Sequence, residues 1–176
     1  MFCRKICPNR EGIDYFRLLG LPRSYSVDTK TAEGNYRALQ KTVHPDKLSV
    51  NPNDGIPEGF SSLLNKAIRV VKSPTERAMH LLYLQDGCLI SESDLTSDPA
   101  MLIEMMGFNE EVDDCDSDKK CLESQLEINN GRLAECDEKL KTLFADRKFQ
   151  QVRKVCERMH FLERINDTIL RKLNSV

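Results

Sequence analysis

The chain has 176 residues, 40 % of them hydrophobic and 31 % charged, with no Trp and a formal net charge of -2, which is enough for one domain or two small ones. No apolar run approaches the ~20 residues that span a bilayer, and the first ten residues lack the apolar core of a secretory signal, so a cytosolic or organellar protein is expected rather than a membrane one. The seven cysteines, at 3, 7, 88, 115, 121, 136 and 156, are odd in number, scattered and without any C-x-x-C pair. They are therefore expected to be free thiols in a reducing compartment, not a disulfide framework.

The small net charge hides an asymmetry, because residues 1–80 carry 13 basic and 8 acidic side chains while residues 81–176 carry 13 and 20. From Asp86 to Asp118 there are eleven acids and no Lys or Arg. Such a surface repels phosphate backbones and suits a basic protein partner, so no nucleic-acid partner is expected.

Helical periodicity runs through the whole chain and period-two alternation is missing, which predicts an all-α protein. A short apolar element around Tyr15, Phe16, Leu18, Leu19 and Leu21 ends at Gly20 and Pro22. Asp28 or Thr29 then caps a helix with a Tyr36, Leu39, Val43 stripe, which Pro45 stops and Gly34 weakens. After the Ser49–Gly59 loop, Phe60, Leu63, Leu64, Ala67, Ile68 and Val71 line a second helix, giving an antiparallel hairpin. Ser73-Pro74 breaks the pattern before a helix from about Thr75 to Leu84, and the domain boundary is placed near Asp86-Gly87.

Beyond a polar stretch, Asp98-Pro99 opens a helix with apolar residues on two sides. Met101, Met105, Phe108 and Val112 form one stripe, and Leu102, Ile103 and Met106 point roughly 100–200° away. Two long helices follow as a coiled pair, one lined by Leu122, Leu126, Asn129, Leu133, Cys136, Leu140 and Leu143. The other is lined by Val152, Val155, Met159, Leu162, Ile169 and Leu173. Phe161 lies about 140° from the centre of that last stripe. An aromatic that misses the core is a candidate anchor.

The motif that carries function is His44-Pro45-Asp46-Lys47, on a bend after a helix whose Arg37 and Lys41 lie one turn apart on a face read as basic and free of acids. With the YFRLLGLP helix before it and NKAIRVVKSPTERA after it, the segment from about residue 13 to 77 resembles the J-domain. The continuation through RAMHLLYLQDG, SDPAMLIEMMGFNEEV and VCERMHFLERI resembles HscB, the J-type co-chaperone of iron-sulfur cluster assembly. This resemblance implies an L-shaped protein with a J-domain at 13–86, a linker at 87–97 and a scaffold-binding three-helix bundle at 98–176, after an extension at 1–12. It also implies that His44, Pro45, Asp46, Lys47, Arg37 and Lys41 bind a DnaK-type chaperone and stimulate its ATP hydrolysis. Leu102, Ile103, Met106 and Phe161 would hold an IscU-type scaffold protein, with Glu104, Glu110 and Asp113 as a charged rim.

An enzyme is not expected, because the sequence holds three His, no Gly-rich phosphate loop and no nucleophile elbow. No cofactor is implied; Cys3-x3-Cys7 and Cys156-x3-His160 have ligand spacing, yet nothing joins them into a four-ligand site, and they depart from the paired C-x-x-C tetrad of some eukaryotic HscB relatives. The rival readings are a J-protein with a different client and an oligomerising helical adaptor, a second copy being a further partner. Arg4, Lys5 and Arg10 without an acid in residues 1–10 lean toward the mitochondrial matrix, with the cytoplasm as the alternative.

Overall fold

The computed structural model describes residues 12–43, 59–86 and 99–175. The described elements are all helices, as periodicity predicts, and they divide into two compact units, one before Gly87 and one after Asp98.

In the first unit α1 (Tyr15–Leu18) is nucleated by Asp14, whose carboxylate accepts the N–H groups of Phe16 and Arg17 at 3.0 and 3.1 Å. It stops where Gly20 takes φ 64°, a left-handed conformation that suits glycine, and the Asn35 amide donates to the Leu19 carbonyl at 2.9 Å. Asp28, one of the two expected caps, starts α2 (Thr29–Val43) by accepting the Lys30 N–H at 3.0 Å and the Thr31 hydroxyl at 2.6 Å. Next, α3 (Phe60–Lys72) pairs with α2: Tyr36 lies opposite Asn65 and Gln40 opposite Ser61, so the two run antiparallel. Ser73 and Pro74 end one helix and begin another, α4 (Pro74–Asp86), because the Ser73 hydroxyl accepts the Glu76 N–H and proline needs no partner at a first helical position.

Tyr15, Phe16, Leu19, Leu64, Ala67, Val70 and Val71 form the core of this unit. Val70 lies outside the stripe read from the sequence and is fully buried. Arg77 is also buried; its guanidinium donates to the Val71 carbonyl at 2.8 Å and lies 4.7 Å from the Tyr25 ring, pinning the segment before α2.

In the second unit α5 (Pro99–Asp114), α6 (Lys119–Ala145) and α7 (Phe149–Leu173) make a three-helix bundle. Leu122, Leu140, Val152, Cys156, Leu162 and Ile169 are fully buried. Leu126 and Leu133, expected in the seam, are half-buried, and Ile165, which the stripe omits, is buried. Asn129 sits in the seam as expected and donates to the Leu162 carbonyl at 2.8 Å and Asn166 Oδ1 at 2.6 Å. A polar residue placed this way fixes the register of α6 against α7.

One expectation fails: Cys115 and Cys121 are joined in a disulfide, with Cα atoms 5.5 Å apart. The reason lies in the turn between α5 and α6. Asp116 takes φ 44°, its N–H bonds to the Asp113 carbonyl, and the Asp118 N–H bonds back to the Cys115 carbonyl at 2.8 Å, so the chain reverses and the two cysteines meet. Six residues of spacing without a C-x-x-C pair conceal this in the sequence.

Candidate functional site

In the first unit, the end of α2 is held against α3 by a polar network. Tyr36 Oη donates to Asn65 Oδ1 at 2.7 Å, Gln40 Nε2 donates to the same oxygen at 2.8 Å, and the Ser61 hydroxyl donates to Gln40 Oε1 at 3.1 Å. Arg37 and Lys41 project from this braced helix and are exposed. The face is not free of acids: Glu33, one turn before Arg37, pairs with Arg37 at 3.4 Å and with Lys72 of α3 at 2.6 Å. These bonds hold the Glu33 carboxyl below the usual carboxylate range, Lys72 having the larger influence. A glutamate at i−4 is visible in the sequence; its commitment to Lys72, which draws it toward α3, is not. His44, Pro45, Asp46 and Lys47 lie outside the described residues, as do Cys3 and Cys7.

In the second unit, α5 turns Met105 and Val112 into the bundle, with Met101 and Phe108 half-buried beside them. Its other side carries Ile103 and Met106, which are 70 % and 62 % exposed, and Leu102 is half-buried. At i and i+3, Ile103 and Met106 share a face of the helix and form an exposed apolar surface there. Phe161 on α7 is half-buried, one turn beyond Arg158.

The three acids assigned to a rim do not behave alike. Glu110 is exposed. Glu104 takes two hydrogen bonds from the Arg158 guanidinium, the one from Nη2 at 2.7 Å, and this holds its carboxyl below the usual range against the opposing effect of burial. Asp113 pairs with Lys172 at 2.8 Å, and the same ammonium donates to the Val112 carbonyl at 3.1 Å. Arg158, Lys172 and Arg132, the last 3.4 Å from the Phe108 ring centroid and 3.5 Å from Glu111, escape a reading of the sequence. Only their position beside the apolar stripes hints at them.

Among the described residues no group of three or more His, Cys, Asp or Glu is placed to hold a metal ion, and no helix is long and apolar enough to cross a membrane. Cys156 is fully enclosed, and burial pushes its thiol far above the usual range. Burial also raises the Cys136 thiol, with Arg158 opposing. Raised in this way, both thiols stay protonated at neutral pH.

Residues 97–170 match a family model described as the HSCB C-terminal oligomerisation domain. Among similar proteins, the Arabidopsis thaliana iron-sulfur cluster co-chaperone protein HscB homolog is 29 % identical over 97 % of this chain and 68 % of its own length. The mouse iron-sulfur cluster co-chaperone protein HscB is 27 % identical over 95 % of this chain and 72 % of its own. The crystal structure of human co-chaperone protein HscB superposes with a TM-score of 0.84 at 26 % identity, covering 97 % of this chain and 86 % of that one. The Jac1 co-chaperone from Saccharomyces cerevisiae shares the fold, with a TM-score of 0.78 at 19 % identity over 93 % and 95 % of the two chains. Family model, relatives and fold agree in what the chain resembles: over nearly its whole length it is similar to HscB co-chaperones.

Proposed function

We propose that the chain is a J-type co-chaperone that stimulates ATP hydrolysis by a DnaK-type chaperone and brings to it an IscU-type iron-sulfur scaffold protein. The chaperone is engaged through the His44-Pro45-Asp46-Lys47 bend with Arg37 and Lys41. Pro45 fixes the backbone there, and Asp46 offers a carboxylate to a partner arginine. The scaffold is held by Leu102, Ile103 and Met106 on α5 and by Phe161 on α7, and the chain performs no catalysis of its own.

The observation that supports this best is the solvent exposure of Ile103 and Met106 on a helix that buries its opposite side, within a unit whose relatives are named iron-sulfur cluster co-chaperones. Immobilised wild type should retain an IscU-type scaffold, and Leu102→Ser with Met106→Ser should lose it. Phe161→Ala should weaken scaffold binding while leaving scaffold-free ATPase stimulation unchanged. Alanines at His44, Pro45 and Asp46 should abolish stimulation but leave scaffold binding intact. Failure of the wild type to retain the scaffold refutes the client, and undiminished stimulation by the triple variant refutes the chaperone role.

The relatives from Arabidopsis, mouse and human accord with a eukaryotic, mitochondrial-matrix protein, which organelle fractionation tests. The description of the matched domain as an oligomerisation domain favours a second copy as an additional partner. Sedimentation over a concentration series tests that reading, and an unchanging monomer mass refutes it.

A further inference from the structure

α5 contributes fewer fully buried side chains than α6 or α7. Of its side chains only those of Met105 and Val112 are buried in the bundle, whereas α6 and α7 bury long stripes against each other. What supplements this attachment is charge: Glu104 to Arg158, Glu111 to Arg132 and Asp113 to Lys172 each tie α5 to a neighbouring helix. The first differs from the others because the Arg158 guanidinium binds both carboxylate oxygens of Glu104. Arg158 of α7 thus clamps α5 at two points.

Its place matters as much as its geometry. Glu104 follows Ile103 in the chain and precedes Met106 by two residues, and Arg158 lies one turn before Phe161. The pair therefore joins the two helices that carry the apolar patch, at the level of the patch. A planar two-point bond between guanidinium and carboxylate restricts both distance and orientation, so it resists rotation of α5 about its own axis. Such rotation would swing Ile103 and Met106 around the helix axis, since each residue turns the helix surface by ~100°. At 33 % and 39 % side-chain exposure the pair adds little to stability.

Building on the scaffold-binding reading above, we propose that Glu104 and Arg158 are positioning residues for the scaffold site. Glu104 acts through Arg158 to set the rotation of α5, and so the direction in which Ile103 and Met106 face, rather than by touching the scaffold as a rim charge.

The test is a calorimetric titration of an IscU-type scaffold into full-length wild type, Glu104→Arg, Arg158→Glu, the double swap and Glu104→Gln, with thermal unfolding of each by circular dichroism. Each reversal should weaken binding by about tenfold, within the range that residues off an interface exert through its support. The double swap should recover wild-type affinity to within about threefold, because the re-formed pair restores the geometry. Glu104→Gln, which keeps a hydrogen-bond acceptor, should fall between, and its unfolding midpoint should match the wild type. Wild-type affinity in both reversals overturns the inference, and so does a double swap that binds no better than the worse single variant, since Glu104 would then act on the scaffold directly. Absence of wild-type binding instead refutes the functional reading on which the inference rests.

Discussion

His80 should make the first unit acid-sensitive well above the range in which carboxylates titrate. It is fully buried, its ring stacks on Tyr15 at 4.6 Å and Phe16 at 5.7 Å, and its Nε2 accepts the Tyr15 N–H at 3.1 Å. Burial drives its pKa from the ordinary 6.5 down to about 4, although Asp14 pulls the other way. The folded pKa lies below the unfolded one, so the unfolded chain binds the proton first. Stability is complete above about pH 6.5 and is lost as pH falls toward 4. A shift of this size corresponds to about 3 kcal/mol in full, of which about 2 kcal/mol is lost between pH 8 and pH 5. All four tyrosines, at 15, 25, 36 and 83, lie in this unit and the chain has no Trp, so tyrosine fluorescence during urea unfolding reports on it alone. His80→Gln offers the Tyr15 N–H an amide oxygen and cannot titrate, so its stability should change far less across the same window. Parallel pH profiles for wild type and variant would falsify the assignment.

The remaining predictions concern packing, helix propensity and the cross-link. Gly34 lies inside α2 with no neighbouring group within 4 Å of the point where an alanine methyl would stand, so Gly34→Ala should stabilise the first unit by about 0.5–1 kcal/mol in the same fluorescence assay; a loss of stability contradicts this. Leu162→Ala should cost the second unit about 2–5 kcal/mol, while Leu170→Ala, at a 45 % exposed position, should stay within about 0.5 kcal/mol. Comparable losses in far-ultraviolet circular dichroism melts would undo the assignment of the seam. Because Lys119 and Lys120 lie between Cys115 and Cys121, tryptic digestion without reductant should leave two peptides joined through sulfur. Recovery of those peptides separately under the same conditions excludes the disulfide.

Much of the architecture is legible in residue spacing. The order Asp28, Tyr36, Leu39 marks the start and inner side of α2, Ser73-Pro74 marks a helix junction, and Leu122, Asn129, Leu140 and Leu143 mark the seam of the coiled pair, because side-chain direction in a helix repeats every 3.6 residues. The two-sided apolar pattern of α5 likewise anticipates that Ile103 and Met106 are left in water. Spacing misleads for Val70 and Ile165. Each lies outside the stripe read from the sequence and is buried in the structure.

What periodicity determines, then, is local: which segments are helical, where they stop, and which side of each one shuns water. Tertiary structure alone decided the pairings across helices. It put Arg158 against Glu104 from 54 residues away, Lys72 against Glu33, His80 beneath Tyr15, and Cys115 beside Cys121 through a turn with one left-handed residue. A helix carries polar groups over most of its outer surface, and which of them meet depends on how neighbouring helices are rotated and registered, a quantity set by the packing of whole units and absent from any local pattern.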